Sequence, residues 1–555
     1  MAFVREPIPG VVYPSPEESA AFAEQGIFEN ITMPEAYARI AAQMPERAAV
    51  TDPDGTYTHG ELDEMTTRLA AAFLAIGLRP LDRAIFQISN SRELVVSMLA
   101  CLKAGIIPIC TLTAHRSLEI GFLARHAGAR AHFICTDDKF DFAGFAQEMR
   151  GEAPSLDYTI VARGDVPEGE GIFGLADLAA RIGLAAADQA LAAVERDPAQ
   201  VAVFQLSGGT SGTPKIIPRF HNEYLYQITM AGKFHGLGHE TISFSAAPMM
   251  HNAPIVCYWG PPLWAGGEVV TTPNPTPQAM AALIKTCRPN WMAIPLPLLM
   301  RLLEQEDLDP ALMAQAVHVA PSYALQLKHR IGADAVTLYG MTEGIICYGH
   351  KDDGDYILGE TVGRPIDPHT EIRIVDPETG EELPEGEIGE MIFRSANSTR
   401  GYFDAEDRNR EAFTADGFCK SGDLMSIRRV DGVLHLTFNG RVKDVVSRGG
   451  EKINCQEVES VVMTHPDIAA VLCVPMPDQA YGEKMCAFVI PASGRSVPDV
   501  AALGRFLEGK GMAKFKWPER IEVVDAFPQT GSGKPSKPLL RDMITEILRR
   551  EQPAA

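Results

Sequence analysis

The stretch VAVFQLSGGTSGTPK, Val201 to Lys215, joins an apolar run to a loop built almost wholly of glycine, serine and threonine. VAVFQL carries β-branched and aromatic residues and no charge, so it reads as a buried strand. The residues after Leu206 cannot continue that strand. Gly208, Gly209 and Gly212 let the backbone wrap tightly. The hydroxyls of Ser207, Thr210, Ser211 and Thr213, with the backbone N–H groups between them, can turn inward on an anion, and Lys215 adds a positive charge. This is chemistry for holding a polyphosphate. A surface linker would share the composition, but a linker need not spring directly from a buried strand. The loop is not of the Walker type, because no Gly-Lys-Ser/Thr triplet closes it and Pro214 stands where that pattern has none.

Working outward from this loop, helix and strand patterns alternate. Residues 60–78 carry apolar side chains at helical spacing, 84–89 read as a strand, 92–105 as a helix, 106–110 as a strand, 118–128 as a helix and 130–135 as a strand. Such alternation predicts an α/β fold of parallel sheets with helical crossovers. Similar units continue to about residue 350. From about 355 the texture changes to short strands with turn signals, as in DPETGEELPEGEIGE (376–390), and a smaller α+β pattern comes after HLTFNGRVKD. We therefore expect a large N-terminal domain, residues 1–440, of parallel-sheet subdomains plus a β-rich subdomain, and a small, mobile α+β C-terminal domain, residues 441–555. The 555 residues exceed what one hydrophobic core serves.

Composition narrows the class. The formal charge is 50 − 72 = −22, which disfavours nucleic acid and anionic membranes as partners, since both need clustered Lys and Arg. The run from Leu94 to Leu112 is broken by Lys103, Gly105 and Pro108, so it reads as helix then strand and not as a membrane span. The N-terminal residues lack an apolar leader core. Ten cysteines lie far apart with no C-x-x-C pair, which fits buried reduced thiols in a cytoplasmic protein.

Three further motifs carry chemistry. YGMTEG, Tyr339 to Gly344, comes after the strand-like AVTL and offers an aromatic ring for a base and Glu343 as an oxygen ligand for Mg²⁺. KSGDL, Lys420 to Leu424, and GRVKD, Gly440 to Asp444, place Asp423 and Arg441 where they can hold a ribose. PQTGSGKPSK, Pro528 to Lys537, sets Lys534 in a Gly/Ser loop. A glutamate on a turn or a lysine in such a loop is ordinarily just solvated, so the order of the motifs matters more than any one of them.

In that order and at those separations the motifs resemble the adenylate-forming superfamily of acyl-CoA synthetases, peptide-synthetase adenylation domains and luciferases. The chain is most similar to stand-alone aryl-acid AMP ligases of the 2,3-dihydroxybenzoate or salicylate type, through QLSGGTSGTPKIIPRFHNEY (205–224), MMHNAP (249–254), RGYFD (400–404), GFCKSGDL (417–424), SRGGEKIN (447–454), GEKMCAF (482–488) and KFKWPERIE (514–522). The resemblance implies an ATP- and Mg²⁺-dependent ligase that forms an acyl-AMP and passes the acyl group to a thiol, of CoA or of a carrier protein's phosphopantetheine supplied in trans. It implies that Ser207 to Lys215 cradle the phosphates, with Thr210 and Glu343 at the metal. Tyr339, Gly340, Met341 and Thr342 would border the nucleotide, and Asp423 and Arg441 would hold its ribose. Lys443 would be the hinge, Gly449 and Gly450 would line the pantetheine tunnel, and Lys534 would enter between carboxylate and α-phosphate. His251, Asn252, Ala253, Cys257 and Ile346 would form the acyl pocket, with His251 gating the tunnel and Asn252 facing the ring hydroxyl beside the carboxylate.

The pocket departs from the aryl-acid pattern. Ala253 stands where those ligases carry a tyrosine, Cys257 takes a small polar position, Thr342 replaces an alanine, and Val319-Ala320-Pro321 replaces a glycine-rich step. Ala253 would open one wall while Thr342 and Val319 narrow another, which implies an aromatic or alicyclic acid other than 2,3-dihydroxybenzoate itself. A catalytically degenerate nucleotide-binding protein is the alternative from another class, disfavoured by intact Glu343, Asp423, Arg441 and Lys534. A Walker-type kinase or ATPase lacks its triplet. Homodimerisation is left open by the sequence.

Overall fold

The computed structural model describes residues 4–207, 214–306, 308–313, 316–319, 321–448, 451–479, 481–530 and 534–551, without the side chains of residues 296, 297, 316–319, 321–323, 447, 451 and 452. The chain forms two compact units, Met1–Glu371 with Arg394–Cys419, and Ile372–Phe393 with Lys420–Ala555.

The first unit is α/β and holds two large sheets. One runs in the order Ile172–Gly174, Tyr158–Arg163, Ala129–Cys135, Arg83–Gln87, Ile107–Ile109, Val201–Ser207, Lys215–Phe220. Every pairing in it is parallel except the last, where Lys215–Phe220 returns antiparallel beside Val201–Ser207. The other runs Arg364–Pro365, Ile346–Tyr348, Ala335–Gly340, Ala316–Val319, Trp291–Ala293, Ile242–Ser245, Glu268–Thr271, Ala48–Asp52, Gly55–Thr58, parallel in its centre and antiparallel at both edges. Helix His59–Ala75 starts at a capping box, in which Thr58 Oγ1 accepts from the Glu61 N–H at 3.2 Å and Glu61 Oε2 accepts from the Thr58 N–H at 2.9 Å. The almost wholly buried helix Arg92–Ala104 stops where Gly105 turns left-handed, at φ 73°. One core cluster spans these helices and strands of both sheets, including Leu69, Phe73, Phe86, Phe133, Val203, Trp259 and Val269.

A buried ion-pair network ties the two sheets at their strand ends. Asp52, with a side chain 0% exposed, ends a strand of one sheet and lies 2.9 Å from Arg92 Nε and 3.6 Å from Arg163 Nη1. Arg163 ends a strand of the other sheet and also pairs with Glu93 at 3.1 Å and Asp137 at 3.0 Å.

The second unit is β-rich. It contains nearly all of the four-stranded sheet Glu371–Val375, Gly389–Arg394, Cys419–Val430, Val433–Arg441. It also contains a sheet of Glu451–Asn454, Val445–Arg448, Gly482–Pro491 and Ile468–Asp478, with Arg520–Val523 pairing parallel to Gly482–Pro491. Helices Cys455–Val462, Val500–Gly509 and Lys537–Glu551 cover this second sheet through cores centred on Val458, Leu503, Leu507, Leu540 and Ile544. The junction expected at residues 440 and 441 falls at the end of strand Val433–Arg441, inside this unit. No helix among the described residues is long and apolar enough to cross a membrane.

Removing Asp52 would leave two arginines facing each other without their shared buried anion. Asp52→Ala is expected to cost about 3 kcal/mol or more, read as a lowered first transition in thermal or urea unfolding; an unshifted transition would show that the network does not hold the sheets together.

Candidate active site

The Gly/Ser/Thr loop is flanked by a β-hairpin. Ser207 and Lys215 are cross-strand partners, as are Leu206 and Ile216, so the two ends of the loop are fixed. Residues 208–213, which include the expected phosphate and metal contacts Gly208, Gly209, Thr210, Ser211, Gly212 and Thr213, lie outside the described residues.

From Lys215 a chain of contacts leads to the YGMTEG turn. Lys215 Nζ sits 4.3 Å from the centroid of the Tyr402 ring and donates to its hydroxyl at 3.2 Å. The Tyr402 hydroxyl in turn donates to Glu343 Oε1 at 2.9 Å. Burial, and then the Glu343 charge, push the phenol far above the ordinary tyrosine range, so it stays protonated and remains a donor. Glu343 is 5% exposed, and its Oε2 has no partner among the described residues. A carboxylate with one oxygen oriented by a phenol and the other open suits a hard cation, which Mg²⁺ is.

The turn itself is seated by its glycines. Gly340 lies opposite Ile346 across the antiparallel pair, and a Cβ on it would come 2.6 Å from Ile346 Cδ1. Gly344 has φ 133°, and the segment 397–398 packs directly against it. The Thr399 N–H donates to the Glu343 carbonyl at 2.7 Å, which pins the glutamate's backbone to the same segment.

The acyl-side residues lie in the same unit. The loop entering them is held by Asn90, whose Nδ2 donates to the Ala247 carbonyl at 2.8 Å and whose Oδ1 accepts from the Met249 N–H at 2.9 Å. His251 and Asn252 come next, then half-buried Ala253, then a π-helical turn Pro254–Trp259 in which the Gly260 N–H reaches back five residues to the Ile255 carbonyl. Such turns recur at functional sites because they spread the side chains on one face. Cys257 in this turn is fully buried, and burial pushes its thiol up to about 12, so it stays neutral. The Cys257 carbonyl accepts from Trp291 Nε1 at 3.0 Å. Ile346 is buried across from Gly340, and Thr342 and Tyr339 are half-buried. The side chain of Val319, and all of Ala320, are outside the described set.

Arg219 joins the two sides. It has 0% exposure and sits one residue before the end of strand Lys215–Phe220. Its Nε donates to Glu223 Oε1 at 3.1 Å, its Nη1 to the Thr342 carbonyl at 2.9 Å and to Asn252 Oδ1 at 3.3 Å, and its Nη2 to Gln227 Oε1 at 2.8 Å and the Asn397 carbonyl at 3.1 Å. Gln227 Nε2 also donates to the Gly344 carbonyl.

In the second unit, Asp423 and Arg441 are cross-strand partners, with Arg441 Nε 3.5 Å from Asp423 Oδ1. Lys443 is exposed in the short turn Val442–Asp444 immediately after Arg441. Lys534 is paired with Thr530: its N–H donates to Thr530 Oγ1 at 3.3 Å, and its carbonyl accepts from the Thr530 N–H at 2.8 Å. Its side chain keeps exposed surface, yet crowding by neighbouring protein and the Arg441 charge both push its ammonium below the usual lysine pKa. Gly449 and Gly450 lie outside the described residues.

The model of the family described as AMP-binding enzyme matches residues 37–403, and that of the AMP-binding enzyme C-terminal domain matches residues 457–534. The chain belongs to the AMP-binding enzyme family. It is an acyl-AMP ligase of the adenylate-forming type. It is 34% identical over 549 residues to the 2,3-dihydroxybenzoate-AMP ligase of Bacillus subtilis, covering 96% of this chain and 98% of that one. It is also 34% identical to the 2-hydroxy-7-methoxy-5-methyl-1-naphthoate–CoA ligase of Streptomyces carzinostaticus, over 96% of this chain and 97% of that one. Among solved structures, apo MbtA of Mycobacterium smegmatis superposes with a TM-score of 0.72 at 30% identity, covering 96% of this chain and 98% of that chain.

Arg219, Glu223, Gln227, Asn90 and Tyr402 frame the candidate site, and reading the motifs assigned them no role. The signal for Arg219 was present: a charge inside the apolar run KIIPRF, followed by Glu223 and Gln227, which share one face of the helix His221–His235. Gly344→Ala would bring a Cβ within 2.1 Å of the Asn397 carbonyl at a backbone angle that side chains avoid. It is expected to cost about 2 kcal/mol or more, read in thermal unfolding. A variant as stable as the parent would contradict the close seating of the turn.

Proposed function

We propose that this ligase activates an aromatic carboxylic acid with ATP, releasing pyrophosphate, and then transfers the acyl group to the thiol of CoA or of a carrier protein's phosphopantetheine in trans. The observation that carries the reading is the convergence of Lys215, Glu343 and Asn252 on one buried polar framework, with the nucleotide side and the acyl side of the motif set joined through Tyr402 and Arg219. The acids named for the two relatives both carry a hydroxyl next to the carboxylate or on the same ring, and Asn252 is the residue we assign to that substituent. Ala253 supports an acid of different outline from 2,3-dihydroxybenzoate, with alicyclic acids the second reading.

The chemistry asks for charge neutralisation above all. A carboxylate attacking the α-phosphate of ATP brings two anions together, and charge grows on the phosphate oxygens as the bond to pyrophosphate breaks. Glu343, with Thr210, would hold the Mg²⁺ that offsets this charge when bound. Lys215 would steady the outgoing phosphates, and Tyr339, Gly340, Met341 and Thr342 would border the nucleotide. Asp423 would accept from the ribose hydroxyls beside Arg441. No nucleophilic side chain is required, since positioning and electrostatics suffice for such transfers. Lys534, in the smaller domain we place after residue 440, would neutralise the carboxylate and α-phosphate during the first half-reaction. It would then withdraw as the domain turns at Lys443, leaving the thiol to enter past His251, Gly449 and Gly450. A cytoplasmic location fits such substrates.

Acid-dependent exchange of pyrophosphate into ATP, run across aromatic, alicyclic and fatty acids, tests the reading. Exchange that responds to no acid would refute it, while addition of CoA or a carrier protein and detection of the thioester separates the acceptors. Lys534→Ala is expected to lose adenylation by about a hundredfold or more while sparing transfer from preformed acyl-AMP; equal loss of both half-reactions would contradict its role. Tyr402→Phe frees Glu343 of its orienting hydroxyl and is expected to raise the Mg²⁺ concentration needed for half-maximal exchange by about tenfold; an unchanged Mg²⁺ dependence would remove Tyr402 from the metal site.

A further inference from the structure

The turn Val442–Asp444, which carries Lys443, is fastened to the last helix of the second unit by the side chain of Asp444. The two carboxylate oxygens take different partners. Oδ1 accepts from Arg541 Nη2 at 2.5 Å, and Oδ2 lies 3.5 Å from Lys537 Nζ. Lys537 opens the helix Lys537–Glu551 and Arg541 comes four residues later, so both reach Asp444 from one helical face. Leu540 and Ile544 of the same helix are fully buried in a cluster with Val474, Met476, Cys486 and Phe488, which fixes how the helix is turned. Glu459 Oε1 also holds Lys537, at 2.8 Å, and accepts from the Cys473 N–H at 2.6 Å. The Asp444 side chain is 13% exposed and that of Lys537 15%. Ion pairs at an open surface contribute little, whereas an enclosed carboxylate shared by two cations cannot be removed without leaving them unbalanced.

Lys534 stands just before this anchor. The backbone between them forms a stem. The Ser536 N–H donates to the Pro528 carbonyl at 2.8 Å, Gln529 bridges to Pro535, and Thr530 exchanges hydrogen bonds with Lys534. Ser536 joins the stem to the helix, its Oγ accepting from the Leu539 N–H at 3.4 Å. Along the chain Lys443 and Lys534 are 91 positions apart, from 443 to 534. Through Asp444 the path is one ion pair and the end of this stem.

Resting on the proposed roles of Lys443 as the hinge and Lys534 as the lysine of adenylation, we propose that Asp444 is a positioning residue whose bridge to Lys537 and Arg541 makes the hinge turn and the Lys534 stem one rigid piece. The setting of the hinge is thereby passed to the lysine's ammonium. Asp444 acts through Lys534, so only the half-reaction that uses Lys534 depends on it. Asparagine at this position keeps the shape of the side chain but cannot hold the two cations, and the stem loses its tie to the turn.

The test is a double-mutant cycle of Asp444→Asn and Lys534→Ala on the full-length enzyme, read by pyrophosphate exchange with whichever aromatic acid the parent exchanges best. Asp444→Asn alone is expected to lower exchange by about tenfold, through kcat and with the KM for ATP and acid little changed, as a misplaced group does. In the Lys534→Ala background the same substitution is expected to change exchange by less than about twofold, because the group it positions is gone. Transfer from preformed acyl-AMP, to CoA or to a carrier's phosphopantetheine as the parent uses, is expected to stay near the parent's rate in Asp444→Asn. Losses that multiply in the double variant would overturn the proposal. So would an equal loss of both half-reactions, which marks a merely structural role, or unchanged exchange. If Asp444→Asn does not fold, the paired Asp444→Asn/Arg541→Gln variant, which removes two opposite charges together, decides by the same cycle. If neither folds, Arg541→Gln decides, with a smaller loss expected that again vanishes without Lys534, and an unchanged rate overturns the proposal. A Lys534→Ala variant that exchanges like the parent would refute the role given to Lys534, and a parent that exchanges with no acid would refute the ligase reading; this inference falls with either.

Discussion

A guanidinium without exposed surface is tolerated only where each of its N–H groups finds an acceptor and its charge finds a partner. Arg219 meets that demand by drawing on Glu223 and Gln227 of the adjoining helix and on the backbone of two distant segments, around Thr342 and Asn397. The constraint works in both directions. Those segments are turns without regular hydrogen bonding of their own at these carbonyls, and the guanidinium gives them a fixed address. Glu343 and Gly344 lie between the carbonyls so held, and Lys215 starts the very strand that delivers Arg219. Catalytic geometry on turns is ordinarily the least precise part of an enzyme; here it is referred to one buried charge.

Charge also has to be considered at the scale of the whole molecule. With a net charge of −22, the chain repels the anions it is proposed to use. Screening confines that repulsion to about 8 Å at physiological salt, so local arrangement decides. Lys215 lies against the aromatic face and phenol of Tyr402, whose hydroxyl bonds both it and Glu343. The Tyr402 hydroxyl thus stands between the lysine and the glutamate, and Glu343 keeps an oxygen for a cation. A direct Lys215–Glu343 ion pair would have cancelled both.

The parallel architecture was legible because its signal is local and redundant. Buried strands such as 129–135 and 201–207 read as apolar runs, and helices such as 92–104 carry their own start and stop residues. The Gly/Ser/Thr stretch stood out by composition alone, and its residues 208–213 lie outside the described residues. The π-helical turn at Pro254–Trp259 was not legible, because its register differs from an α-helix by one hydrogen bond and no residue type encodes that. Nor were the antiparallel edges, where Lys215–Phe220 and Ile346–Tyr348 fold back beside their neighbours. The polar framework escaped for a different reason. Arg219, Tyr402 and Asn397 are separated by up to 183 positions, from 219 to 402, and only the packed chain brings a tyrosine of the RGYFD stretch onto a glutamate of YGMTEG.

The second unit holds the remaining tension. Crowding by neighbouring protein first, and then the Arg441 charge, lower the pKa of Lys534, since two cations within electrostatic reach each make the other's charge less favourable. Asp423 engages Arg441 at 3.5 Å, but nothing among the described contacts offers Lys534 a carboxylate. A protein that wanted only a stable loop would have placed an acid there. An anion arriving between the two cations offsets their mutual repulsion, which adds to the binding free energy of a phosphate or carboxylate. A lysine with its own ion-pair partner could not act in that way, since the partner would have to be displaced first.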